Sequence, residues 1–250
     1  MSELPTIAVW ITVTFVAAGV VKGVVGMGLP TLAMGVLGLF MAPSAAAAML
    51  VVPSLVTNLW QLATGPAFGA LARRLATMML AVFAGTLLGI DVLTGSSAST
   101  ASAALGTALA LYGAVGLAAP RWTVPVGLEP WFSPPIGLAT GLVTGATGVF
   151  VIPAVPYLAS LGLAKEELIQ ALGLSFTVST VALALALGLN GHFRWAAASG
   201  SLLAVVPALA GMYIGQHVRS KLRPEVFRSW FFVGLVVLGV YMVARVLAST

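Results

Sequence analysis

Apolar residues in this chain fall in long unbroken runs separated by short polar intervals. A first series lies at about 5–21, 30–42, 44–64, 75–93 and 99–118, and a second at about 134–148, 150–163, 168–189, 196–216 and 227–247. Runs near the roughly 20 residues that a hydrocarbon core requires predict membrane-crossing helices, and the first two members of the second series are short. The interval 119–133 differs in character, with Pro120, Arg121, Pro125, Glu129 and Pro130 breaking it and Trp122 and Trp131 suited to a membrane interface or to packing. The predicted fold is an all-α polytopic membrane protein. Residues 1–118 form a first membrane repeat, 119–133 a cytoplasmic linker and 134–250 a second membrane repeat.

The two series repeat one another. Gly19, Gly23 and Gly26 recur at a constant offset as Gly141, Gly145 and Gly148, and Pro30 recurs one position further on as Pro153. Gly85 and Gly89 match Gly211 and Gly215 at a slightly larger offset. Glycines and a proline recurring in the same order point to a duplicated half.

Basic residues set the orientation. If each half crosses five times, Arg73, Arg74, Arg121, Lys165, Arg219, Lys221 and Arg223 share one side and leave Arg194 and Arg245 on the other. If the two short segments of each half make a single crossing, the charges divide almost evenly. The positive-inside rule favours five and five, hence two inverted repeats with both termini outside and the linker in the cytoplasm.

Composition removes other classes. With 60% hydrophobic and 7% charged residues and a mean hydropathy of +1.10, a polar shell around a soluble core cannot be built. The net charge of +5 is spread singly or in short clusters between apolar runs, which fits topology and not nucleic acid. There is no cysteine, so disulfides and thiolate chemistry are excluded, and His192 and His217 lack metal-site spacing. No cofactor or metal is expected. Met1-Ser2-Glu3-Leu4 lacks the basic start of a signal peptide, so the first run is expected to be retained.

Candidate chemistry sits at the glycine breaks. Gly-Val-Val-Lys-Gly-Val-Val-Gly-Met-Gly-Leu-Pro at 19–30 places Lys22 inside an apolar run interrupted by glycine and proline. Broken helices at matching positions of two halves are a transporter pattern, and backbone groups freed at a break are tolerated where they line a cavity. The first break offers Lys22, Gly23, Gly26 and Gly28, and the second Thr144, Gly145, Thr147 and Gly148. A lysine, threonine hydroxyls and half-helix N-termini favour an anion. The competing readings are that glycines spaced by four serve helix packing and that Lys22 snorkels to the headgroups. The third run adds Ser54, Asn58 and Gln61 on one helix face, with Ser175 to Thr180 as its counterpart. These groups coordinate an oxyanion or simply join helices, and Pro53 kinks its helix for packing or for gating.

Coupling groups are scarce. Every glutamate falls at a predicted end or loop, and Asp91 reads as a cap or interfacial partner before it reads as a proton carrier. An anion could leave on the membrane potential alone. No nucleophile and base or carboxylate pair marks an enzyme.

The run 19–30, the run Pro53-Ser-Leu-Val-Thr-Asn-Leu-Trp-Gln61, the break at 145–153 and the closing stretch with Gly211, Gly215, Arg228 and Arg245 resemble the sulfite exporter TauE/SafE family over nearly the whole chain. That resemblance implies a multi-pass permease of the bacterial inner membrane moving small sulfur-containing anions of the sulfite, sulfonate or sulfoacetate type. Its partners would be a small organic or inorganic anion and membrane lipid, with a homodimer as an option and no nucleic acid. Met27 between Gly26 and Gly28, and Val149-Phe150 where glycines are common, depart from the pattern and imply a changed pocket. The alternatives are a carrier of an unrelated anion or a membrane scaffold.

Overall fold

The computed structural model describes residues 3–95, 97–118, 123–192, 201–219, 221 and 224–248. Arg121, Trp122, Arg194 and Arg223 lie outside the described residues, as does the linker over 119–122. The first half comprises α1 (Glu3–Val25), α2 (Leu29–Leu37), α3 (Pro43–Ala63), α4 (Phe68–Arg74), α5 (Ala76–Thr94) and α6 (Ala98–Ala118). The second comprises α7 (Glu129–Thr147), α8 (Ala154–Ala159), α9 (Lys165–Leu189), α10 (Val205–Arg219) and α11 (Pro224–Leu247). Among the described residues, 7 helices are long and apolar enough to cross a membrane, and α2 and α8 are short.

Two boundaries differ from the sequence expectation. The helix α7 starts at Glu129, inside the interval read as linker, because Pro130 falls in its first turn, where the backbone N–H has no intrahelical partner anyway. Glu129 there also complements the positive end of the helix. The two-turn helix α4, carrying Arg73 and Arg74, was not foreseen, since seven residues give no periodic signal.

The main helix pairings keep their pattern when the halves are exchanged. The helix α1 packs on α10 as α7 packs on α5, while α3 packs on α9 and α6 on α11, each against its own counterpart. Glycines make the first two crossings. A Cβ on Gly19 or Gly23 would strike the carbonyl oxygens of Ala208 or Met212, and one on Gly211 or Gly215 those of Val16 or Val20. At the equivalent crossing Gly141 and Gly145 face the carbonyls of Val82 and Thr86, and Gly85 and Gly89 those of Leu138 and Leu142. Small residues let the backbones touch, which is how helices associate where lipid removes the hydrophobic drive.

The helices α3 and α9 run antiparallel through the centre. As α3 advances from Asn58 to Gly65, its partners on α9 run back from Thr180 to Gln170. Gln170 joins their ends, its amide donating to the carbonyls of Leu62 (2.8 Å) and Gly65 (2.9 Å) and accepting from the N–H of Ala67 (2.7 Å). Pro53 removes the donor that the Met49 carbonyl would otherwise receive. The Ser201 hydroxyl replaces it at 2.7 Å and accepts from the Val52 N–H at 3.1 Å, so the proline is a built-in docking point for the segment before α10.

Exposed apolar side chains such as Leu80, Leu88, Trp131, Val206 and Trp230 cover the outside of the bundle, the surface that lipid requires. Asp91 lies among the exposed residues on α5. At one end Arg74 clasps Glu129 through two parallel hydrogen bonds, to Oε2 at 2.8 Å and to Oε1, and reaches the carbonyl of Leu161 at 3.2 Å. The Glu129 hydrogen bond holds the Arg74 guanidinium above its ordinary pKa. That end ties α4 of the first half to α7 and α8 of the second.

Candidate anion site

The helix α1 ends at Val25 because Gly26 (φ 84°) and Gly28 (φ 99°) turn the chain through the left-handed region that glycine adopts freely. One turn before that end, Lys22 points inward and is 3% exposed. Its ammonium donates to Thr57 Oγ1 at 3.1 Å and to Asn58 Oδ1. Thr57 donates in turn to the Pro53 carbonyl at 2.8 Å, which fixes its oxygen as an acceptor for the lysine. The Asn58 amide donates to Thr180 Oγ1 on α9 at 3.3 Å, and Thr180 donates to the Phe176 carbonyl at 2.7 Å. Every donor in this chain is oriented by the group beyond it.

Both of Lys22's partners are neutral. The one ion pair among the described residues is Arg74–Glu129, so the lysine's charge has no counter-ion. Inserting a lysine at membrane depth costs roughly 2.5–3.5 kcal/mol, and snorkelling would avoid most of it. Lys22 does not snorkel. An ammonium has three N–H groups, and two are committed to Thr57 and Asn58.

A cavity of about 150 Å³ reaches this lysine. Lys22, Gly23, Gly26 and Gln61 line it from the first half, and Met212, Gln216 and Arg219 from α10. Its rim carries exposed Trp60 and half-buried Arg219. No carboxylate among the described residues lines it. Gln61 closes the floor of the break, donating to the carbonyls of Gly26 (3.1 Å) and Ile169 (3.0 Å) and so fastening α3 to both α1 and α9.

The second break is built differently. Thr144 and Thr147 are buried and donate to the carbonyls of Thr140 and Val143 on their own helix, and Thr147 also accepts from the N–H of Val149. Gly148 (φ 71°) lies against Met34 and Ala47. Val149, Phe150 and Val151 are fully buried, and Phe150 packs on Phe176 with ring centroids 5.4 Å apart. At the first break the corresponding odd residue, Met27, accepts a hydrogen bond from the Tyr112 hydroxyl at 3.1 Å.

Of the residues singled out in the sequence, the structure therefore gathers Lys22, Gly23, Gly26 and Gln61 around one cavity, with buried Asn58 behind Lys22 as its hydrogen-bond partner. Gly28 sits apart, against Phe231 and Val21, and Gly145 packs on Thr86. Ser175 is buried with no hydrogen-bond partner among the described residues, as are the hydroxyls of Thr31, Ser54 and Ser179. The breaks do not adjoin one another. Gly26 lies beside Gln61 and Gly148 beside Ala47, about 20 Å apart along α3 at 1.5 Å per residue.

Two contributors escaped the sequence reading. Thr57 was hidden among hydroxyls, whereas Thr180 already belonged to the run taken as the counterpart of the third run. Arg219 counted only as a topology charge, and nothing in one sequence places it beside Lys22.

No curated protein and no solved structure matches the chain. Residues 11–242 match the family described as Sulfite exporter TauE/SafE, and with nearly the whole bundle inside that match the chain belongs to this family of membrane transporters, not enzymes.

Proposed function

We propose that the chain is a secondary transporter for small sulfur-containing anions, of the sulfite or sulfonate type, with Lys22 at its binding site. The observation that carries this reading is a buried ammonium held by two neutral oxygens, lining a cavity, with neither a counter-ion nor a lining acid among the described residues. A fixed positive charge in a medium of low polarity attracts an anion far more strongly than it would in water.

The two halves are inverted repeats that work by alternating access. The matching main pairings and the antiparallel α3–α9 pair support this, since one half placed upside down against the other would produce both. The cavity opens at the end holding α4 and the end of α10, where Arg73, Arg74 and Arg219 gather, which is the cytoplasmic side by the positive-inside rule. At the equivalent break in the second half Phe150 is fully buried and packs on Phe176. In the alternate state the halves exchange roles, the first break closing as the second opens outward. An inside-negative potential then drives efflux by about 2.3 kcal/mol per charge per 100 mV.

The test is flux of labelled sulfite, sulfoacetate and taurine in proteoliposomes under a set potential, for wild type and Lys22→Met. Saturable flux of at least one anion, lost in the folded variant, supports the reading. No flux from folded wild type, or flux indifferent to Lys22, defeats it.

A further inference from the structure

The two breaks lie about 20 Å apart along α3, one beside Gln61 and the other beside Ala47, so an anion held at Lys22 has a distance to cover before it reaches the second. Ala47, Ser54 and Gln61 follow one another at intervals of seven residues, close to two helical turns. All three therefore share one face of α3, with Ser54 midway and about 10 Å from each end. Ser54 also stands one turn from Asn58, the residue that holds Lys22. It is fully buried, and its hydroxyl has no hydrogen-bond partner among the described residues.

A buried hydroxyl on a helix has an acceptor within reach, the carbonyl four residues back. Thr57, Thr86, Thr140, Thr144 and Thr180 all take that bond, at 2.7–2.8 Å. Ser54 does not take it from Leu50, and Ser175 and Ser179, one turn apart on α9, leave theirs unmade as well. Of the buried side-chain atoms without a partner among the described residues, all but the Thr31 hydroxyl lie on α3 and α9, the antiparallel pair through the centre. Alanine at these positions would avoid the cost of an unpaired buried hydroxyl. A free hydroxyl can serve an ion of either sign, and Lys22 decides between them. Its charge, held by Asn58 one turn from Ser54 and without a counter-ion among the described residues, repels a cation and attracts an oxyanion.

We infer that Ser54 is a second station for the transported anion, the point it crosses between the two breaks, where the hydroxyl donates to one of its oxygens once it has left Lys22. In the conformation described Ser54 is closed off from solvent, so the station is reached only as the halves move. The inference rests on the reading of the Lys22 cavity as the transport site, and adds the route that leads on from it. Ser54 governs the rate of passage, and Lys22 the binding.

The chain has no cysteine, so Ser54→Cys supplies a single thiol as a probe of that route. Two methanethiosulfonate reagents, one ending in a sulfonate and the other in a trimethylammonium, are applied to proteoliposomes, each rate being taken relative to that with free cysteine. The sulfonate reagent should modify the thiol at least about 10-fold faster than the cationic one, and adding Lys22→Met should remove that preference. Ser54→Ala should melt at or above the wild-type temperature. It should nevertheless lower the maximal flux of whichever of sulfite, sulfoacetate and taurine the wild type carries by at least about 10-fold, the size of one hydrogen bond to a charged group, with half-saturation changed by less than about 2-fold. A thiol at position 54 that neither reagent reaches or that both reach alike, or a Ser54→Ala protein with full flux or a lowered melting temperature, overturns the inference and leaves the Lys22 reading standing. Flux and sulfonate preference that are both indifferent to Lys22→Met overturn the two together.

Discussion

Asn58 donates its side-chain amide to Thr180 at 3.3 Å, joining α3 of the first half to α9 of the second. Lys22, bonded to Asn58, therefore stands one side chain away from the contact between the halves. The first half has the lysine there and the second has Thr144. In the alternating-access cycle proposed above, one positive charge would therefore serve both states.

Asn58→Asp tests what that charge is for. The carboxylate would pair with Lys22 where the amide oxygen now sits, cancelling the site's charge with almost no change of shape. A folded protein of wild-type or higher melting temperature, with anion flux reduced at least 10-fold, is the expected result. Asn58→Leu, by contrast, strips a partner from a buried charge and should destabilise by about 1–3 kcal/mol. Thermal unfolding in detergent beside flux separates the two effects.

The glycines divide by mechanism. Gly141→Ala puts a methyl group onto the Val82 carbonyl, 2.7 Å from the Thr86 nitrogen, and backbone cannot step aside. Overpacking of this kind costs typically 1–3 kcal/mol. Gly26→Ala meets nothing within 4 Å, so it carries only the cost of φ 84°, roughly 1–2 kcal/mol. Gly141→Ala should therefore reduce folded yield more than Gly26→Ala, and Gly19→Ala should match Gly141→Ala because it faces the equivalent carbonyl of Ala208. A Gly19→Ala protein as stable as wild type would remove the packing account of the repeat.

The division of these glycines marks what one sequence could reveal. Ten apolar runs and the break at Lys22 are local features, and among the described residues each run contains a helix, 7 of them long and apolar enough to cross a membrane. Asn58 and Gln61 were legible because helical spacing puts them on one face, whichever neighbour that face meets. The neighbours were not legible. Gln170 joining α3 to α9, Ser201 answering Pro53 and Arg219 beside Lys22 all depend on how helices are set against each other, which no spacing within one helix records. Prolines misled at 129–133, since the same residues that end a helix also begin one.

Arg74 and Glu129 tie the halves at the basic end, and the pair is open to a double-mutant cycle. Arg74 is 33% exposed and Glu129 8%, so the pair lies between an exposed ion pair and a buried charged hydrogen bond. Arg74→Lys, losing the parallel geometry and the Leu161 contact, should cost about 1–2 kcal/mol. Glu129→Gln should cost a similar amount, and the double variant less than the sum. Strict additivity in thermal unfolding would show that the two side chains do not act as a unit.

The absence of cysteine makes the direction of opening measurable, because a single introduced thiol has no competitor. Thr64 lines the open cavity and Ala47 lies fully buried beside Gly148 at the filled break. In inside-out vesicles a Thr64→Cys protein should react with a membrane-impermeant maleimide, more slowly once a bound anion blocks the cavity, while Ala47→Cys stays unlabelled from either face. Phe150 lies fully buried at that second break, its ring tilted against Phe176. Replacing it in the Ala47→Cys background, as Phe150→Ala, removes the plug from the closed side and should expose the thiol to reagent from the periplasmic face. If the halves exchange roles, the same substitution slows labelling of Thr64→Cys from the cytoplasmic face, because a population moved to one state leaves the other. Exposure of Ala47→Cys with no matching loss at Thr64→Cys would mean that Phe150→Ala had merely opened a hole, and that the two breaks are not coupled.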